Sequence, residues 1–208
     1  MSLSENNLLY QYNHEKNGKV RRKILETALE HDLEKSIPLF IEALKDPNVE
    51  NKAFAIRHLG ENCTIQALKP LIELTQYRLE IYDELISNIV KIAKHVDLEQ
   101  IIRFFEVENI NLKKSMPVIL GKMGDKNAVK ILIELLDDKN PIVRRNTVRA
   151  LEKLIVPTDL WHIIKKLGDK NLEVRKTTIR VLGYIGDKNS VKPLLELLKD
   201  PEPDIRKH

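Results

Sequence analysis

The sequence predicts an all-α fold, an α-solenoid of about six helix-turn-helix repeats with a period of 31 residues. The first observation is the even spacing of Asp138, Asp169 and Asp200, each of which begins a similar stretch of sequence. A fixed period of about 20–50 residues is the signature of repeat proteins, whose units pack on their neighbours along one dimension. The second observation is that the chain has only five Tyr, four Phe and one Trp, so its core must be aliphatic.

The unit that begins at Asp169 predicts two helices. Gly186 would end the first helix, because glycine adopts the left-handed backbone conformation at low cost. Asp187 would cap the second helix, over 190–199, and Pro193 falls in its first turn, where a missing N–H costs little. The apolar residues of the first helix are spaced by four, one, three and three, as on one helix face: Val174, Thr178, Ile179, Leu182 and Ile185.

The same frame extends upstream through most of the chain. Pro117 lies inside a predicted helix, so we expect a kink or a late helix start there. Because the sequence stops at His208 inside a predicted helix, we expect that it is a fragment or that a natural tail continues. The predicted units are an N-terminal extension or partial cap over 1–14 and repeats near 15–45, 46–75, 76–106, 107–137, 138–168, 169–199 and, in part, 200–208.

The recurring pattern resembles the HEAT repeat over residues 15–208. It consists of an Asp followed by a Val-Arg pair, then a Leu-Gly pair, then a Pro-Leu-x-x-Leu-Leu helix. It is most similar to the short form in phycobilin lyase-type HEAT-like proteins. The resemblance implies a right-handed solenoid with the Val-Arg helices on its concave side. The family includes scaffolds, adaptors and a few enzymes, so the fold alone assigns no task.

Charge and composition narrow the function classes. Residues 1–104 hold 14 Lys and Arg against 16 Asp and Glu, a net of −2, whereas residues 105–208 hold 21 against 15, a net of +6. The single cysteine, Cys63, excludes an intramolecular disulfide and a Cys-based zinc site. No apolar run approaches about 18 residues and no signal-peptide pattern is present, which predicts a soluble cytoplasmic protein with no membrane partner.

Few residues suggest catalysis, and we predict neither a cofactor nor a metal site. No His-x-x-x-His spacing occurs. The HEAT-like deoxyhypusine hydroxylases carry several His-Glu pairs within their repeats, but the only such pair here, His14-Glu15, lies outside the repeat helices. We expect Cys63 to be a buried residue at a helix end and Trp161 to belong to the core. The repeated Asp and Arg, such as Asp169 and Arg144, are expected to join neighbouring units.

The candidate binding site lies on the concave side. Positions 9, 12 and 16 of each unit should point into the groove, which becomes basic toward the C-terminus. Clustered cations there could bind phosphates or an acidic protein segment; the alternative is an ordinary solvated face. The predicted partner-binding residues are Lys91, Lys122, Arg149, Lys153, Arg180 and Tyr184.

The sequence therefore predicts a non-enzymatic protein-interaction scaffold that binds an acidic partner. One alternative, from the resemblance, is a phycobilin lyase-like enzyme or enzyme subunit, for which a coloured bilin adduct would be diagnostic. The other is a nucleic-acid-binding protein. The pI near 9.0 fits this second alternative, but aromatic platforms for single strands are nearly absent from the predicted groove.

Overall fold

The computed structural model describes residues 3–30, 32–77, 79–105 and 109–207. Two compact units, Met1–Phe104 and Phe105–His208, divide the chain. Throughout the described ranges the regular elements are α-helices and short 3-10 turns, so the all-α, solenoid prediction is confirmed. Val107, where one predicted repeat begins, lies outside the described residues.

The first unit is built on aliphatic faces of helices that follow one another in the chain. Leu85, Ile86, Ile89 and Ile92 of α6 are fully buried, at the spacing of one helix face. Helix α6 packs against α4, and α3 packs against the other side of α4. The helices are α1 (Leu3–His14), α2 (Gly18–Ala28), α3 (Leu33–Ala43), α4 (Val49–Glu61), α5 (Leu68–Leu74), α6 (Tyr82–Ala93) and α7 (Leu98–Arg103).

The second unit repeats this plan with a central helix, α11, packed between α9 and α13. Pro117 is the second residue of α9, and the short α8 precedes it, so the predicted late helix start is confirmed. The helices are α8 (Ile110–Lys113), α9 (Met116–Met123), α10 (Val129–Leu135), α11 (Pro141–Leu151), α12 (Trp161–Ile164), α13 (Leu172–Ile185), α14 (Val191–Glu196) and α15 (Pro203–Arg206).

Among the described residues, a left-handed residue follows three of the helices, α4, α9 and α13. Gly124 after α9 has φ 74° and Gly186 after α13 has φ 67°. Cys63, two residues after α4, has φ 48°, so it occupies the helix-end position that Gly124 and Gly186 take in two other repeats. Its side chain is half-buried rather than buried, which corrects the expectation from sequence. This conformation costs an L-residue roughly 1–2 kcal/mol.

The repeated Asp and Arg join consecutive repeats, as predicted. In the second unit, Arg144 donates from Nε and Nη2 to the two oxygens of Asp169, both at 2.7 Å. Its Nη1 donates to the carbonyl oxygens of Asp138 and Lys139 in its own turn. The guanidinium is buried, so this bidentate pair ties two turns that lie 31 residues apart. We assign these residues a structural role.

In the equivalent pair of the first unit, the aspartate accepts hydrogen bonds from further donors. Arg21 donates to both oxygens of Asp46 at 2.8 Å. The Tyr12 hydroxyl, which lies in the predicted N-terminal extension, and the Asn51 amide also donate to Asp46. Burial by itself would raise the pKa of Asp46, but these hydrogen bonds, with one from the Asn48 N–H, outweigh it and lower the pKa to about 2.

The core assignment of Trp161 is wrong. Its side chain is 46% exposed. The ring contacts His162, and the Lys165 ammonium lies 4.1 Å from the ring centroid. Trp161 is the first residue of α12, and its indole lies against His162 and Lys165, which belong to the same segment of the chain.

A basic groove in the second unit

The six predicted partner-binding residues divide between the two units. Lys91 lies on α6 of the first unit and donates to Asn88 at 3.2 Å. The other five lie on or just after the long helices of the second unit, and all six are exposed. Lys122 is on α9, Arg149 on α11 and Lys153 just beyond it, and Arg180 and Tyr184 are on α13.

Arg149 and Arg180 are the two predicted residues that the structure brings together at one site. Helices α11 and α13 pack side by side, and both arginines line a groove of about 720 Å³. Burial lowers the pKa of Arg149, and the positive charges of Arg180 and Arg145 lower it further, against opposing effects of Glu152 and Glu173. Positively charged side chains therefore lie close together at the edge of the groove.

In the first unit, a cation at the same repeat position has a carboxylate partner. Arg57 occupies the repeat position of Arg149 and Arg180, and it donates to Glu84 of α6 at 2.8 Å. Within the described residues, neither Arg149 nor Arg180 forms a salt bridge with a carboxylate. The second unit therefore presents two guanidinium groups whose donors are available to an external anion.

The groove floor is apolar, and sequence reasoning did not find it. Val191, Leu195 and Leu198 of the α14 segment are 54%, 60% and 62% exposed, respectively. From the sequence alone these residues form the apolar face of a helix, which predicts burial. In the given sequence α14 is followed by α15, which has four residues, whereas α10 is followed by α11, which has eleven.

The rim of the groove is mostly basic. It carries Arg149, Arg180, Lys176 and Arg206 against one carboxylate, that of Glu173. Lys176 donates to Asp204 at 3.0 Å and lies 3.8 Å from Glu173. Arg206 donates through Nη1 to backbone carbonyl oxygens of the preceding turn. The side chains that line the rim therefore carry more positive than negative charge.

Two other features, a metal site and a membrane-spanning helix, have no candidate residues in the described parts of the chain. In the described parts of the chain, no group of three or more His, Cys, Asp and Glu side chains could hold a metal ion. Among the same residues, no helix is both long and apolar enough to cross a membrane.

Comparison with known proteins identifies the repeats. The HEAT repeat family matches residues 128–155, and a family described as HEAT repeats matches residues 158–208. Residues 128–155 and 158–208 therefore match HEAT repeats, which confirms the resemblance over these residues. Both matches fall in the second unit and include the arginines of the groove. No curated protein matches the sequence. The phycobilin lyase-type form of the repeat stays a prediction.

Several solved structures align with most of the chain. The structure of YibA from Escherichia coli aligns over 96% of this chain and 77% of its own, with 20% identity and a TM-score of 0.50. Human deoxyhypusine hydroxylase aligns over 98% of this chain and 92% of its own, with 15% identity and a TM-score of 0.40. A designed armadillo repeat protein in complex with the peptide (KR)4 aligns over 82% and 95%, with 18% identity and a TM-score of 0.43.

Proposed function

We propose that this repeat protein is a non-enzymatic scaffold that binds an acidic protein segment through the basic face of its second unit. The observation that carries the proposal is the pair Arg149 and Arg180, exposed on adjacent helices and without a carboxylate partner among the described residues. Guanidinium groups bind carboxylates in a bidentate geometry and keep their charge at any physiological pH. The net charge of +6 over residues 105–208 favours encounter with an acidic partner.

Further cations and one aromatic residue extend this face on or just after α9, α11 and α13. Lys122, Lys153 and Tyr184 are exposed, and Tyr184 reaches 80% exposure. Tyrosine supplies contact area at a low entropic cost because only two side-chain torsions are ordered on binding. We place these three residues at the periphery of the interaction and the two arginines at its centre. Lys91, in the first unit, stays a separate prediction.

The test measures binding of a fluorescein-labelled oligoglutamate peptide to the whole chain by fluorescence anisotropy. The double variant Arg149→Glu and Arg180→Glu removes two attractive contacts and adds two repulsive ones. At roughly 0.5 kcal/mol for each exposed contact, we expect a loss of about 2 kcal/mol, or about 30-fold in Kd. Lys130→Glu makes the same kind of charge change on the exposed side of α10 and should leave Kd within about twofold.

Equal affinities of the wild type and the double variant would refute this function. A labelled single-stranded oligonucleotide provides the second arm of the experiment. Nucleic-acid binding releases counterions, so affinity for the oligonucleotide would fall steeply with salt. Tight binding of the oligonucleotide together with none of the peptide would replace the scaffold by a nucleic-acid-binding function.

A further inference from the structure

Three arginines of the second unit lie close together, and one of them is not among the residues predicted from the sequence. Arg145 and Arg149 are four residues apart on α11, so they lie on the same face of that helix. Arg180 lies on α13, which packs beside α11, at the same repeat position as Arg149. Burial lowers the pKa of Arg149, and the charges of Arg180 and Arg145 lower it further. We call these three residues the arginine cluster.

Among the residues that the structure describes, the three guanidinium groups of the cluster have no acceptor. The Nε atom of Arg145 is buried and has no hydrogen-bond partner. A buried N–H group without an acceptor is rare in proteins and costs free energy, so it favours the binding of an anion that can accept from the same side chain. The remaining three arginines of this unit instead donate to carboxylates or carbonyl oxygens: Arg144, Arg175 and Arg206.

The residues of the neighbouring repeat explain why the cluster is unpaired. In the first unit, Arg57 donates to a glutamate that is the ninth residue of the following repeat. In the repeat that follows Arg149, the ninth residue is Thr177. In the repeat that begins after Arg180, the ninth residue is His208. Neither residue carries a carboxylate, so the partner that Arg57 has is missing at both positions of the second unit.

Two carboxylates near the cluster limit the extent of its positive charge. Glu152 follows Arg149 by three residues, and Glu173 is in the first turn of α13. At Arg149 their charges oppose those of the other two arginines. Glu173 lies 3.8 Å from the ammonium of Lys176, and within the described ranges neither carboxylate forms a salt bridge with the cluster. The cluster is therefore suited to one compact anion rather than to a long polyanion.

The donors of the cluster match a phosphate monoester better than a carboxylate. A carboxylate has two oxygens, which one guanidinium occupies in a bidentate pair. A phosphate on serine or threonine has three acceptor oxygens and a charge of about −1.5 to −2 at pH 7. Guanidinium groups bind phosphate through two donors in one plane and keep their charge throughout the physiological range. Three neighbouring guanidinium groups therefore have enough donors for all three oxygens.

We infer that Arg145, Arg149 and Arg180 bind a phosphorylated serine or threonine within the acidic segment of a partner protein. The phosphate lies among the three guanidinium groups, and the acidic residues on either side of it contact the exposed lysines Lys122 and Lys153. A nucleic acid fits less well, because its phosphates continue along the strand toward the carboxylates that border the cluster. This inference rests on the proposed function and adds the chemistry of the partner's central residue.

The test compares three fluorescein-labelled peptides by fluorescence anisotropy with the whole chain, at a physiological ionic strength of about 0.15 M. All three consist of glutamates separated by glycines around one central position. The first peptide has phosphoserine at that position and the second has serine. The third has two adjacent glutamates there, which together carry about the charge of one phosphate. We expect the phosphoserine peptide to bind about tenfold more tightly than this charge-matched peptide, and the serine peptide to bind most weakly.

Lysine variants separate the geometry of the cluster from its charge. Arg145→Lys and Arg180→Lys keep the positive charge and remove the planar pair of donors. Each should weaken the phosphoserine peptide by about fivefold and leave the affinity for the charge-matched peptide within about twofold. Arg57→Lys is the matched control, because Arg57 occupies the repeat position of Arg149 and Arg180 but is paired with a glutamate. It should change neither affinity.

The outcomes separate this inference from the proposed function. Equal affinities of the wild type for the phosphoserine and charge-matched peptides would refute the phosphate site and leave the binding of acidic segments in place. A preference for phosphoserine that survives both lysine variants would also refute it, because the phosphate would then bind elsewhere. Binding of the phosphoserine peptide without binding of oligoglutamate would support the phosphate site and refute the proposed function as stated.

A single-stranded oligonucleotide under the same conditions identifies the source of the phosphate. If it binds more tightly than the phosphoserine peptide and the lysine variants weaken it, the cluster recognises a nucleic acid and the phosphorylated protein partner is overturned. Weaker binding of the oligonucleotide than of the phosphoserine peptide supports the protein partner.

Discussion

Two glycines at the same repeat position, Gly121 and Gly183, should respond in opposite directions to the same substitution. Gly183 is helical, lies near the end of α13, and has nothing within 4 Å of an added Cβ. Gly183→Ala therefore removes the entropic cost of a glycine in a helix and should raise the free energy of unfolding by roughly 0.5–1 kcal/mol.

Gly121→Ala places a new methyl group against the neighbouring helix. The added Cβ would lie 2.7 Å from the Cβ of Ala150 and 2.8 Å from its backbone α-carbon, so relief requires α9 and α11 to move apart. Overpacking of this kind costs about 1–3 kcal/mol, which exceeds the gain in helix propensity. We expect a net loss of about 1–2 kcal/mol, and thus a difference between the two alanine variants of about 2 kcal/mol.

Urea denaturation followed by circular dichroism measures both variants against the wild type. The double variant Gly121→Ala with Ala150→Gly is the control, because it removes the clash between the two methyl groups and keeps the clash with the backbone of residue 150. The single variant Ala150→Gly measures the cost of that second change by itself. The double variant should lose less stability than the sum of the losses of the two single variants. The reasoning is refuted if Gly121→Ala stabilises the protein as much as Gly183→Ala does.

Two further predictions concern Asp46 and Cys63. The folded-state pKa of Asp46, about 2, is below its unfolded value near 3.8, so its stabilisation of about 2 kcal/mol is complete above about pH 5 and is lost as the pH falls from there toward 2. Unfolding measured over that range should show a smaller pH dependence in Asp46→Asn than in the wild type, and an equal dependence would contradict the assignment. Cys63→Gly relieves a left-handed φ of 48° and should stabilise the protein by up to about 1 kcal/mol. Gly186→Ala, at φ 67°, should have the reverse effect in the same thermal melt, and a loss of stability in Cys63→Gly would count against the strain.

Helix positions could be predicted from the sequence because they depend on local signals. The 31-residue period, the late start at Pro117 and the left-handed ends at Gly124 and Gly186 all follow from short stretches of chain. Burial could not be predicted in the same way. Leu136 and Leu198 occupy the same position of the same helix pattern, and only the element packed next to each decides that one is 1% and the other 62% exposed.

The same distinction between local sequence signals and packing against neighbouring helices applies to the candidate site. Position 12 of the repeat predicts the exposure of Arg57, Arg149 and Arg180 alike, but not whether each has a partner. The guanidinium of Arg57 donates to the carboxylate of Glu84, on the neighbouring helix α6, at 2.8 Å. Arg149 and Arg180 instead lie on the adjacent helices α11 and α13. Whether a charged residue has a partner depends on the residues of the neighbouring repeat. The position of the residue within its own repeat therefore does not predict it.

Adjacent like charges on α11 and α13 connect the stability of the second unit to binding. Arg149 and Arg180 repel each other, and the lowered pKa of Arg149 reflects part of that repulsion. An acidic segment bound to both arginines would offset the repulsion. Any ligand that binds only the folded state raises its stability by mass action. The oligoglutamate peptide should therefore raise the unfolding temperature of the wild type more than that of Arg180→Glu, which has lost one of the two guanidinium groups that would bind it.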